Sequence, residues 1–360
     1  MKQNLFDIAR LFQIKGSPDK ITRLGNGLIN DTFLVTTLPP DAPDYVLQKI
    51  NHNVFKDIDL LQDNILKITD HIRHCLKEKD TGDIDRRTLT LVPTSDGALY
   101  TVKDGQYWRM TVNIPRSFTH ETLTPHMAEL TGQAFGEFHA LLAHPLAPNL
   151  KETIPNFHNT AFRVSQLREA IQADPAGRAK SVSDLSERLL AREEEMTLPF
   201  RLAEQGKLPK RITHCDTKVN NILFDTDGTP LCVIDLDTTM PGFVLSDFGD
   251  FLRTAGNTGA EDEADLSKVA VNMDIFRAFA KGYVASASFL TTLEKELLPF
   301  GVKMLTYMQA VRFLTDYING DTYFRIDEPE HNLRRTRAQM KLLEDIDRCL
   351  PEMTDFIKTL

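Results

Sequence analysis

The chain has 360 residues, 41% hydrophobic and 26% charged, enough for two domains of ordinary size with full cores. Its net charge of −9, from 42 Lys and Arg against 51 Asp and Glu, argues against nucleic acid or an anionic membrane surface as partner. Cys75, Cys215, Cys232 and Cys349 form no CxxC pair, and no apolar run approaches the ~18 residues of a bilayer span, so the chain reads as a reduced, cytoplasmic protein with no membrane partner.

At the start, Leu5, Ile8, Leu11 and Phe12 recur at helical spacing, while Asp7 and Arg10 interrupt any signal-peptide core. Residues 21–24 and 32–37 read as strands on either side of a Gly25-Asn26-Gly27 turn, and residues 45–50 as a third. Residues 55–76 carry Ile58, Leu61, Ile65, Ile68 and Ile72 in a helical stripe. Residues 89–93 and 99–102 flank Ser95-Asp96-Gly97 as a predicted hairpin, and residues 107–114 are the last strand-like run before Pro115. Beyond it the chain turns helical, with predicted helices over 127–142, 162–173, 182–205, 267–287, 293–317 and 333–350. One small hairpin, 222–224 with 231–234 across Asp227-Gly228, interrupts them. The pattern predicts an α+β fold of two lobes: an antiparallel-sheet N-lobe over 1–115 and a mainly helical C-lobe over 116–360.

The strongest chemical signal is His214-Cys215-Asp216-Thr217-Lys218-Val219-Asn220-Asn221, followed by Val233-Ile234-Asp235-Leu236-Asp237. Phosphoryl transfer from ATP needs a carboxylate to orient the attacking hydroxyl and accept its proton. It also needs an amide oxygen and a second carboxylate to fix Mg2+ on the phosphates. Asp216 fits the first role, and Asn221 and Asp235 the metal roles. Lys218 is placed to neutralise charge on the transferring group. His214 reads as a brace for the loop, and Asp237 either reaches a second metal or caps the next segment of the chain. Gly25, Gly27 and Asn30 suit a turn that covers phosphates, with a plain hairpin turn as the other reading. Lys49 stands where a nucleotide-binding lysine belongs, but Gln48 beside it faces the other way, so a slip of one residue would remove Lys49 from that role.

Rival readings leave more unexplained. Asp235-x-Asp237-x-Thr239 resembles the opening of a haloacid-dehalogenase-type phosphatase, but most of the chain precedes it and the upstream motif has no place there. A non-catalytic module on a kinase scaffold has no chemical need for Asp216, Asn221 and Asp235 together. A sulfatase needs C/S-x-P-x-R, which the chain lacks. His71, His74 and Cys75 share one helix but, with no acidic or His partner in view, read as a solvated face.

The two motifs resemble those of the aminoglycoside phosphotransferase/choline kinase family, relatives of the protein kinases. The segments GNGLINDTFLVTT, YVLQKIN, RITHCDTKVNNILFD, VIDLDTTMPGFVLSDFGD, RFLTDYINGDTYF and PEHNLRRTRAQ are similar, more narrowly, to its N-acetylhexosamine 1-kinase subgroup. That resemblance implies a two-lobed protein-kinase-like fold. It implies transfer of the γ-phosphate of ATP to the anomeric hydroxyl of GlcNAc or GalNAc, with Mg2+ as cofactor and a small sugar as substrate. By the same resemblance Asp216 also touches the sugar, and Arg312 and Tyr323 contact the hexosamine. Residues 106–116 would be a hinge that binds adenine through its backbone. Leu28 departs from the subgroup, which has His there. The alternative within the same chemistry is a kinase for another sugar or an amino alcohol.

Overall fold

The computed structural model of the chain describes residues 2–25, 29–120 and 123–360. It divides into two compact units. The first takes in Met1–Thr119, His144–Pro155 and Ile222–Met240, and the second His120–Ala143, Asn156–Asn221 and Pro241–Leu360.

In the first unit, helix α1 (Lys2–Ala9) precedes strands β1 (Ser17–Arg23), β2 (Asp31–Leu38) and β3 (Tyr45–Ile50). Helix α2 (Ile58–Glu78) follows, then a short α3 (Ile84–Arg87) that the sequence pattern does not suggest, and strands β4 (Thr101–Lys103) and β5 (Gln106–Val112). The strands form one antiparallel sheet in the order β1-β2-β3-β5-β4. Its alternation buries Val35, Tyr45, Leu47, Trp108 and Met110 with Ile8, Phe12 and Val92 in one core. The Asp57 side chain accepts the Leu60 N–H at 2.9 Å, which starts α2 and fixes which stripe faces inward.

The hairpin expected over 89–102 is only half present. Its Ser95-Asp96-Gly97 turn exists, closed by Thr94 N donating to Ala98 O at 2.8 Å. Leu91 makes no more than an isolated bridge to Thr111, and Pro93 supplies no ladder N–H. The true hairpin is β4–β5, two-residue-linked by Asp104 and Gly105 at φ +52° and +70°, which matches the twist of the strands. The first unit is completed by strand β6 (Ser117–Phe118), which joins the later hairpin in a sheet of order β6-β8-β9, with β8 spanning Ile222–Asp225 and β9 Pro230–Val233. Arg86 of α3 grips Asp225 at the end of β8 with two hydrogen bonds of 2.9 Å.

The second unit is mainly helical. It holds α4 (Pro125–Leu142), α5 (Thr160–Ala173), α6 (Ser183–Leu190), α7 (Glu193–Met196), α8 (Leu198–Glu204), α9 (Val244–Ala255), α10 (Met273–Ser286), α11 (Thr292–Glu296), α12 (Leu298–Ile318) and α13 (His331–Thr359). The helix expected over 182–205 is three helices, and the one over 293–317 is two. Pro199 and Pro299 sit in the first turns of α8 and α12, where a missing N–H starts a helix and cannot continue one. Two short strands, β7 (Arg211–Thr213) and β10 (Met240–Gly242), pair with each other. Tyr307, Val311 and Leu314 of α12 pack with Val164, Leu167, Leu189 and Leu343 in the main core. Helices α4 and α10 meet backbone to backbone: a Cβ at Gly132 would lie 2.3 Å from Phe279 O, and one at Gly282 2.0 Å from Glu129 O. Among the described residues no helix is long and apolar enough to cross a membrane.

Candidate active site

The loop after β7 owes its shape to one buried carboxylate. Asp247, in the first turn of α9, accepts the backbone N–H of His214 at 2.5 Å and of Cys215 at 2.9 Å, and its own carbonyl accepts the Thr217 hydroxyl at 2.7 Å. It also accepts from His139 Nε2 at 2.8 Å, while the His139 Nδ1 accepts the Tyr283 hydroxyl at 2.8 Å. Burial pushes the Asp247 carboxyl up, but His139, His214 and the Cys215 N–H outweigh it and hold it below its ordinary range. Cys215, at φ +63°, makes the left-handed kink that presents Asp216. His214 is fully buried beside Phe135 and Phe138, and its Nδ1 accepts the Asp216 N–H at 3.3 Å, so it braces the loop as expected.

Asp216 itself stays half-buried. Lys218 Nζ pairs with its Oδ1 at 2.5 Å, and Asn221 Nδ2 donates to its Oδ2 at 3.2 Å and to its carbonyl at 2.8 Å. Burial pulls the Lys218 ammonium down, but the adjacent Asp216 charge and hydrogen bond raise it overall, so it is a fixed cation. The structure therefore brings Asp216, Lys218 and Asn221 together. The Asn221 NH2 donates to Asp216, which leaves acceptance as the one role of its Oδ1. Asn221 leads directly into β8, and Asp235 follows β9. Asp235 is exposed and sits at φ +62°, a left-handed position that Asp adopts more readily than most residues.

In the first unit, Asp237 is neither a cap nor open to a metal. Buried at 2% exposure, it receives Asn30 Nδ2 on Oδ2 at 2.6 Å and Arg109 Nη1 on Oδ1, and its carbonyl accepts the Thr153 hydroxyl at 2.9 Å. Asn30 is buried too, and its Oδ1 accepts the Asn51 N–H at 2.9 Å. Its side chain is thus spent on the protein at both ends. Arg109 also donates from Nε to Gln48 Oε1 at 2.9 Å, its cross-strand partner. Strand alternation then puts Lys49 on the opposite face from Gln48, Arg109 and Asp237. There it pairs with Asp31 at 2.6 Å, and this contact, more than burial opposes it, lowers the Asp31 carboxyl. The structure does not bring Lys49 to Asp237. Gly25 takes φ +67° with open space where a Cβ would be, while Gly27 and Leu28 lie outside the described residues.

Arg312 and Tyr323 come together in the second unit. The Arg312 guanidinium lies 5.8 Å from the Tyr323 ring centroid, 5.3 Å from Phe324 and 5.4 Å from Phe157. Arg163 joins them by donating to Phe157 O at 3.1 Å, and His158 stacks on Phe157 at 4.7 Å. Desolvation lowers Arg312, lowers Arg163 to about 10 and lowers His158 to about 4, and the crowding of like charges adds to it. Tyr323 is 64% exposed, an aromatic face open to a ligand.

Residues 20–279 match the model of the phosphotransferase enzyme family, APH, well over half of the chain. The chain belongs to this family. As a phosphotransferase it shares its fold with solved kinases at low identity. An amicoumacin kinase solved with AMP-PNP, Ca2+ and Ami is 15% identical, covering 96% of this chain and 93% of its own at a TM-score of 0.63. An aminoglycoside phosphotransferase from Alicyclobacillus acidocaldarius is 13% identical over 97% and 95%, at 0.61. A choline kinase from Cryptosporidium parvum is 14% identical over 99% and 100%, at 0.59. The five-stranded antiparallel sheet and helical remainder are those of a protein-kinase-like fold, as expected.

Several residues of this candidate site escape sequence reasoning. Helix α9 is one such element, absent from the predicted helices. It carries Asp247 and, one turn on, Asp250, whose carboxyl is raised by burial and by Asp216 and Asp247 although Arg253, at 3.2 Å, opposes. The usable signal is the spacing of two acids at i and i+3 within an otherwise apolar stretch. Arg163 and His158 carry no signal, since only the fold places them beside Arg312.

Proposed function

We propose that this phosphotransferase transfers the γ-phosphoryl group of ATP to the anomeric hydroxyl of an N-acetylhexosamine, GlcNAc or GalNAc, giving the sugar 1-phosphate. The observation that carries the reading is the Asp216–Lys218–Asn221 cluster, held by three hydrogen bonds from its loop to Asp247. Asp216 aligns the acceptor hydroxyl and takes its proton, and Lys218 holds positive charge beside it. The amide oxygen of Asn221 and the exposed carboxylate of Asp235 are hard oxygen donors of the kind that would hold Mg2+. Bound there, the ion would neutralise charge on the phosphates. The backbone around Gly25 would cover the nucleotide's phosphates, whereas residues 106–112 of the expected 106–116 hinge are taken up as β5, paired with β3 and β4.

Arg312 and the open ring of Tyr323 would receive the sugar, the guanidinium serving hydroxyl and amide oxygens and the ring an apolar sugar face. The same corner disfavours the alternative of an amino alcohol, since Arg163, Arg312 and His158 crowd it and a cationic acceptor needs acids or a bare aromatic cage. The test is a panel of free sugars and amino alcohols with ATP and Mg2+, scored by ADP release and by the position phosphorylated. GlcNAc or GalNAc should turn over at the anomeric oxygen. Product at a primary hydroxyl, or turnover of choline alone, would overturn the acceptor assignment.

A further inference from the structure

The face of α2 that carries His71 and Cys75 is not solvated, contrary to its sequence reading. His71 is 8% exposed and Cys75 3%, whereas His74, one position over, points out to Glu78 at 3.3 Å. The missing third partner arrives from the segment after α4: the His144 ring lies 5.8 Å from that of His71, centroid to centroid. One donor atom from each of His71, Cys75 and His144 lies within 4.8 Å of the other two. His71 Nε2 and Cys75 Sγ are 3.5 Å apart. In a tetrahedral zinc site with Zn–S about 2.3 Å and Zn–N about 2.1 Å, a nitrogen and a sulfur ligand stand about 3.6 Å apart. The i,i+4 spacing on one helical face sets that pair, and Asn64 Nδ2 bonded to Lys151 O at 2.8 Å separately anchors the 144–155 segment on α2.

We infer that His71, Cys75 and His144 form a three-donor site for a thiophilic transition-metal ion of the zinc class, its fourth position left to water or an outside ligand. Two imidazoles and a thiolate select such an ion over Mg2+, so the site does not compete for the metal of the reaction. Coordination replaces the Cys75 S–H bond by a sulfur–metal bond and releases the proton to solvent. Nδ1 of His144 accepts the Leu146 N–H at 3.2 Å, a bond or tautomer that the metal must displace. That cost lowers the affinity below that of a site with its donors already free. Occupied, it would tie α2 to the 144–155 segment, within the first unit and remote in role from Asp216.

The test is a titration of chelator-treated, full-length protein with Co2+ under reducing conditions, followed by absorbance. Expected are saturation at one equivalent, the intense visible bands of a tetrahedral Co2+ ion and a near-ultraviolet thiolate charge-transfer band. Cys75→Ser should abolish that band, and His144→Ala should weaken binding at least tenfold. Cys215→Ser, which breaks the second His-Cys-Asp grouping of His158, Cys215 and Asp247, should leave the band in place. Absence of saturable binding to the wild type, a band that survives Cys75→Ser, or one lost with Cys215→Ser would each overturn the site. Should Cys75→Ser not fold, the wild-type spectrum and the half-buried His144 variant still decide. The readout is spectroscopic, so it stands or falls independently of the sugar assay.

Discussion

Asp216 gains its character from its neighbours rather than from its own burial. With Lys218 and Asn221 fixed on it, Asp216→Asn should lower kcat by ~10²–10⁴-fold while the dissociation constant for ATP, read by calorimetry, changes little. A variant of near-normal rate would remove Asp216 from the chemistry. Asp237 invites the opposite kind of test. Arg109→Ala leaves its buried carboxylate half paired, which should cost about 3–5 kcal/mol of unfolding free energy by urea titration. Lys49→Ala, on the other face, should change the KM for ATP by less than a few fold in steady-state assays. The difference in legibility between these residues is physical. Asp216 and Asn221 share one loop, and chemistry that needs a short spacing leaves it in the chain. Asp237 depends on Asn30 and Arg109, 207 and 128 positions away, so its role exists only once the sheet has formed.

Among the elements, the α4–α10 crossing matters more than its distance from the chemistry suggests. Gly132 and Gly282 let the two backbones touch, and that contact sets His139 against Tyr283, which in turn holds Asp247 beneath the loop of Asp216. Gly282→Ala should therefore destabilise by about 1–3 kcal/mol and lower kcat together, measured by thermal unfolding and by initial rates. Loss of stability with full kcat would show that the loop does not depend on this crossing. The amphipathic helices and the 222–233 hairpin are readable because period and turn chemistry agree over their whole length. Helix α12 reads too long in the sequence because nearly every one of its positions is buried, which erases the periodic signal that would have marked its start at Leu298.

For the molecule as a whole, acid should expose His158. Burial holds its imidazole at about 4 against an ordinary 6.5, so between those values the unfolded chain binds a proton that the folded one refuses. Its contribution is complete above about pH 6.5 and is lost as pH falls toward about 4. Denaturant titrations across that window should show falling stability, with a shallower slope in His158→Gln. An unchanged slope would place the acid sensitivity elsewhere. The first unit also has a consequence for biosynthesis. Its last segment, Ile222–Met240, supplies the strand that β6 pairs with and the acid that Arg109 needs. A ribosome must therefore release well over half of the polypeptide before the first unit can close, and a gene cut near codon 119 would express an incomplete, aggregation-prone piece, not an independent module.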